Sequence, residues 1–278
     1  MTATRFAPSP TGPLHLGHAW AAMVASDHGA MRLRIEDIDR DRSRPRWEAA
    51  IEADLTWLGI GWTGPILRQS DRGAAYDAAL DRLWATGLLY PCACSRRDVA
   101  LAATAPQEGA PLLGPDGVVY PGTCRGAPRS GPRPRDAALR LDARRAVAGD
   151  LAWTELGDGP DAIGAAAFRE GIGDVVLARR GWGTSYHLAV VVDDAAQGID
   201  LVTRGADLAE ATPIHVALQR LLGLPTPRYL HHDLVRDEAG RRLAKRDDAR
   251  ALAAYRDAGW TAGALKDRLR ASRVAPDV

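Results

Sequence analysis

Apolar positions along the chain follow two different periods. Short apolar runs at residues 4–7 and 31–35 read as strands, and residues 8–14 form a loop that leads into a helix at 17–28. Residues 47–58 place Trp47, Ile51, Leu55 and Leu58 at helical spacing with Gly59 as a stop, and residues 76–86 repeat the arrangement before Gly87. Between residues 102 and 135 Pro and Gly are dense and the periodicity vanishes, which predicts a long loop. Strands at 137–141, 174–178 and 188–192 follow, then a helix at 214–222 and further helix through 249–270. The run Leu188-Ala-Val-Val-Val192 is continuously apolar, as in a central parallel strand buried on both faces. Asp193 and Asp194 would then stand at its carboxyl end, where open α/β sheets place ligands. The alternation predicts an α/β protein with a Rossmann-like, doubly wound, mostly parallel sheet.

Composition narrows the class. Hydrophobic residues at 46% and charged residues at 26% fit an ordinary globular protein, and no apolar run approaches the roughly 20 residues that span a bilayer. The first residues run straight into a motif without a signal-peptide pattern, so a cytoplasmic protein is expected. A net charge of +1 excludes a broadly basic surface. Only Lys245 and Lys266 are lysines among 36 basic residues, so arginine clusters carry little weight as evidence for nucleic-acid binding, and each lysine carries more.

The segment from Arg5 to His18 holds the densest chemistry. Gly12 allows a tight turn, and Gly17 opens a helix without a side chain, so an adenine ring could approach the backbone. His15 and His18, three apart at the helix start, can aim both imidazoles at a phosphate. Two histidines at a helix terminus, or a metal pair, are the alternatives on this spacing alone.

The whole block, Arg5-Phe-Ala-Pro-Ser-Pro-Thr-Gly-Pro-Leu-His-Leu-Gly-His18, resembles the opening of class I aminoacyl-tRNA synthetases of the glutamyl branch. The likeness continues through Arg34-Ile-Glu-Asp-Ile-Asp39, Ser185 to Asp194, Gly198 to Asp207 and Thr212-Pro-Ile-His215. It implies that His15, Gly17 and His18 bind ATP, with Mg²⁺ accompanying it, and that His15 and His18 act in catalysis. It also implies a glutamate pocket of Arg5, Ala7, Ser9, Glu36, Tyr186 and Arg204. The family's second signature falls on Arg242-Leu-Ala-Lys-Arg246, with Lys245 at the catalytic lysine that binds the ATP phosphates but Arg242 and Ala244 departing from the pattern.

Cys92, Cys94 and Cys124 are too few, and odd in number, for a disulfide framework, which leaves metal binding or free thiols. Three soft ligands suit Zn²⁺. No histidine lies between His28 and His187, so a local fourth ligand is oxygen or water, and Tyr120 is the candidate. The same spacing resembles the zinc site of the glutamyl-Q tRNA(Asp) synthetases, with a longer intervening loop.

These readings divide the chain into a catalytic domain from residues 1–91 and 170–230, an inserted zinc-bearing, acceptor-binding subdomain at 92–169, and a lysine loop with a helical tail at 231–278. No anticodon-reading domain is expected. The resemblance then implies a monomeric ligase that forms glutamyl-adenylate from L-glutamate and ATP and transfers glutamate to the queuosine of tRNA(Asp). A minimal synthetase charging a 3′ end and a non-catalytic glutamate or nucleotide sensor are the alternatives.

Overall fold

The structure, a computed structural model, describes residues 1–103, 112–181, 183–237 and 250–274. In chain order it begins with β1 (Ala3–Phe6), α1 (Leu16–His28), β2 (Ala30–Ile35), α2 (Pro45–Trp57), β3 (Leu67–Arg68) and α3 (Gly73–Ala85). Next come β4 (Leu89–Cys92), α4 (Arg96–Ala103), β5 (Leu113–Gly114), β6 (Gly117–Val118), β7 (Ala138–Leu141) and α5 (Ala143–Ala146). These lead to β8 (Leu151–Glu155), β9 (Gly159–Ile163), α6 (Ala165–Gly171), β10 (Val176–Ala178) and α7 (Tyr186–Ala196). The last elements are β11 (Leu201–Gly205), α8 (Thr212–Leu221), β12 (Arg228–His232), α9 (Leu252–Asp257) and α10 (Ala262–Ala271). No described helix is long and apolar enough to cross a membrane.

The chain forms two compact units. The first takes Met1–Asp71, Gly198–Asp207 and the described part of Arg228–Val278. Its β1 pairs in parallel with β2, Arg5 opposite Arg32, and β2 pairs in parallel with β3. β11 and β12 pair in parallel with Arg204 opposite His231. Asp200 at the head of β11 donates its N–H to Ala3 O (3.1 Å), which sets β11 beside β1. Both faces are covered. Leu33 and Ile35 are fully buried with Ile51 and Leu55 of α2 and Met23 of α1, and each such side chain contributes about 1.5–3 kcal/mol by burial. Pro45 starts α2 with its fixed φ, and Gly59 follows the helix at φ +65°, where a β-carbon would be strained.

The second unit comprises Arg72–Gln197 and Leu208–Pro227. β7 is the middle strand of an antiparallel three-stranded sheet, flanked by β4 and β10. Leu80, Leu89, Leu139, Leu177, Leu188, Ile214 and Leu218 form its core.

Residues 188–192 correct the expected strand. They belong to α7, in which His187 to Val191 and Asp193 and Asp194 are all buried. A helix buried on nearly every side shows no amphipathic stripe, so its apolar run imitates a buried strand. Asp193 therefore ends no strand. Its carboxylate takes the Tyr76 hydroxyl (2.7 Å) and Arg72 Nε (3.1 Å) within the unit. The expected loop at 102–135 contains the end of α4 and the β5–β6 hairpin, and the expected tail helix is two helices parted at Gly259 (φ +86°).

Candidate active site and thiol cluster

In the first unit the sequence-predicted residues collect at the carboxyl ends of parallel strands, the edge at which open α/β sheets bind ligands. Ala7 and Ser9 follow β1, Glu36 follows β2, and Arg204 is the penultimate residue of β11. Glu36 N–H donates to Pro8 O (3.0 Å), and Arg34 Nε lies 3.4 Å from the Glu36 carboxylate. Arg5 is 5% exposed and donates to Thr203 O (2.7 Å), which brings its guanidinium to the residue before Arg204. Arg204, equally buried, donates from Nε to His231 Nε2 (3.0 Å), and its guanidinium lies 5.3 Å over the Tyr229 ring.

The two histidines of α1 are fixed by the helix terminus itself. His15 is the N-cap, and its Nδ1 accepts the Gly17 N–H (3.1 Å). His18 Nδ1 accepts the His15 N–H (3.1 Å), closing a reciprocal capping box made of imidazoles. Both Nδ1 atoms are acceptors, so each neutral ring carries its proton on Nε2. The ring centroids are 3.9 Å apart. A β-carbon on Gly17 would stand 2.9 Å from His15 Cε1, so the glycine leaves room for the His15 ring. Lys245, Arg242 and Ala244 lie outside the described residues. Downstream of them Ala251 bridges to His15, and Leu252 N–H donates to Leu14 O (2.8 Å).

Tyr186 begins α7 in the second unit, beside the buried pair His187 Nδ1 and His215 Nε2 at 3.1 Å. The Tyr186 ring lies edge-on to both, 5.5 Å from the His187 ring and 5.7 Å from the His215 ring.

The cysteine cluster assembles as expected. The Cys92, Cys94 and Cys124 sulfurs lie within 4.8 Å of one another and could hold a metal ion. Tyr120 Oη is 3.5 Å from Cys92 Sγ and 3.3 Å from Cys94 Sγ, and it accepts the Cys124 N–H (2.9 Å). Tetrahedral zinc with bonds of about 2.3 Å to sulfur needs sulfurs about 3.8 Å apart, and Cys94 and Cys124 stand at 3.5 Å. The donor set fits. The Tyr120 hydroxyl holds the Cys124 thiol down at about 7, toward the thiolate that metals require, while burial pushes Tyr120 itself well up.

Three contributors escaped sequence reasoning: His231, Tyr229 and Arg140. His231 and Tyr229 lie on β12, whose His-His ending was an available signal. Arg140 donates from Nε to Cys92 Sγ (3.3 Å), a contact that nothing in the local sequence signals.

The family of class I tRNA synthetases (E and Q), catalytic domain, matches residues 1–104 and 161–273. A glutamyl-Q tRNA(Asp) synthetase of Rhodobacter capsulatus is 61% identical over 271 residues, covering 92% of this chain and 95% of that protein. Another, from Geobacter sulfurreducens, is 45% identical, covering 94% of this chain and 81% of that protein. Among solved structures, a glutamate tRNA ligase from Elizabethkingia meningosepticum in complex with its amino acid has a TM-score of 0.67 at 23% identity. That match covers 89% of this chain and 52% of the ligase, so this chain spans about half of the ligase's length, and the likeness is one of fold.

Proposed function

The chain belongs to the class I tRNA synthetases of the E and Q type, among the glutamyl-Q tRNA(Asp) synthetases, and we propose that it activates L-glutamate with ATP and passes the glutamyl group to the queuosine of tRNA(Asp). The observation that carries this reading is 61% identity along nearly the whole length of a protein of that name.

In the first step an oxygen of the glutamate α-carboxylate attacks the α-phosphorus of ATP. The bond to the bridging oxygen breaks, pyrophosphate leaves, and glutamyl-adenylate forms. His15 and His18 donate from Nε2 to phosphate oxygens as charge builds there. Lys245 contributes a mobile point charge that follows the pyrophosphate, and Mg²⁺ accompanies the nucleotide. Arg5 and Arg204 pair with carboxylate oxygens of glutamate. Arg204 enters that contact already oriented by His231 and Tyr229, so little side-chain freedom is lost on binding. Ser9 and Glu36 hold the α-ammonium, with Ala7 lining the same edge, and Tyr186 keeps the role that the resemblance implies. In the second step a cyclopentenediol hydroxyl of queuosine attacks the activated carbonyl. The carbonyl–phosphate bond breaks, AMP departs, and the hydroxyl proton passes to the leaving phosphate. Proximity supplies most of that advantage.

One Zn²⁺ held by Cys92, Cys94, Cys124 and Tyr120 belongs to this reading, as a structural ion that orders the segment 92–169. The division into catalytic halves 1–91 and 170–230, the insert and the segment 231–278 is part of it too.

Glutamate-dependent ATP–pyrophosphate exchange without tRNA tests the activation step. Exchange is the expected result. Glutamate binding with no exchange supports the sensor, which the departures at Arg242 and Ala244 favour.

A further inference from the structure

We infer that Arg140 is a positioning residue for the metal ligands of the thiol cluster, tying Cys92 and Tyr120 to the sheet and offsetting the negative charge they carry around a metal. The inference rests on the zinc reading above. Arg140 lies on the middle strand β7, paired with Tyr90 of β4 on one side and Val176 of β10 on the other. Cys92 pairs with Ala138, two residues before Arg140, so Arg140 is its diagonal neighbour on the same face.

From that position one guanidinium makes three contacts. Nε donates to Cys92 Sγ at 3.3 Å, and the guanidinium carbon lies 3.9 Å over the Tyr120 ring. Nη1 donates to Asp174 O at 2.8 Å. Asp174 is a buried anchor whose carboxylate accepts from the Tyr90 hydroxyl, Arg125 Nε and the Ala143 N–H. Zinc with three thiolates leaves a surplus negative charge, and an ionised phenol adds another. Arg140 sets a fixed positive charge against it. Only a planar fork can donate edge-on to a sulfur and a carbonyl while laying its face on an aromatic ring, which a lysine ammonium cannot do.

The test titrates zinc against a chromogenic chelator in the purified full chain and in Arg140→Met, Arg140→Lys and Arg129→Met variants. The cobalt(II)-loaded proteins are read by absorption in parallel. Arg129 is the comparison because its guanidinium lies 5.1 Å over the Tyr90 ring in the same unit and pairs with Asp142. The unsubstituted chain is expected to hold one zinc. Removing such a partner of a metal ligand weakens binding about 10–100-fold, the loss expected for Arg140→Met. Its thiolate-to-cobalt band moves to lower energy as Cys92 Sγ loses its donor. Arg140→Lys falls between, and Arg129→Met changes neither readout. If Arg140→Met does not fold, Arg140→Lys carries the comparison. Unchanged affinity and an unshifted band in the Arg140 variants of a chain that does hold zinc overturn the role of Arg140. An unsubstituted chain without metal affinity overturns the zinc reading beneath it.

Discussion

His18 has two tasks that two substitutions separate. Its Nδ1 caps α1 by accepting the His15 N–H at 3.1 Å, and its Nε2 faces the reaction on the proposed mechanism. His18→Ala removes both. Loss of a capping acceptor costs about 1 kcal/mol, and in a chain of this size that lowers Tm by about 2–4 °C. Loss of a donor to developing phosphate charge costs about 10²–10³-fold in kcat. Asparagine places an acceptor oxygen where Nδ1 stands but ends one bond short of Nε2. His18→Asn is therefore expected to melt with the unsubstituted chain while exchanging ATP and pyrophosphate as slowly as the alanine variant. KM for ATP changes little, because the contact strengthens only in the transition state. The assay pairs thermal melting followed by circular dichroism with exchange kinetics resolved into kcat and KM. An asparagine variant that exchanges at the unsubstituted rate refutes the assignment of Nε2.

Arg204→Lys loses the bond to His231 and the position over Tyr229, and loss of charged hydrogen bonding of this kind costs about 1.5–3 kcal/mol. It should appear in the exchange assay as a raised KM for glutamate, with ATP unaffected. Lys245→Ala should lower the rate of adenylate formation while leaving glutamate affinity, read by calorimetry, unchanged. Burial raises the Asp54 carboxyl above its ordinary 3.8, with Arg256 opposing. A raised carboxyl contributes stability that is present below 3.8 and lost as pH rises through the folded value. Asp54→Asn should accordingly be more stable than the unsubstituted chain at neutral pH, and denaturant melts should show that gain shrinking as the solution is acidified.

The start of the chain was legible because its chemistry is local. The capping histidines, Gly17 and the strand before them sit within sixteen residues, and β1, α1 and β2 fall where periodicity places them. The cysteines were legible for a different reason, since three thiols outside a disulfide framework have few chemical uses. What failed to show depends on contacts between remote segments. α7 imitated a strand because its surroundings bury it on nearly every side. β11 and β12 are five residues each, and Arg204 acquires its orientation only when His231, 27 residues later, arrives opposite it. The first unit joins residues 1–71 to 198–207 and to the described residues from 228 onward, boundaries that follow strand pairing rather than any change in composition. Arg140 was invisible for another reason: in a chain with two lysines, one arginine on a strand carries no signal until its neighbours are known.

The central claim is that the glutamyl group goes to a modified anticodon base. Labelled glutamate, ATP and the purified chain are incubated with tRNA(Asp) carrying queuosine, with tRNA(Asp) lacking it, and with tRNA(Glu), and the label is mapped by nuclease digestion. The expected result is label on queuosine-bearing tRNA(Asp) alone, within the anticodon fragment. Label on the 3′ adenosine of tRNA(Glu), with none on the modified anticodon, would contradict the account and make the chain a minimal synthetase.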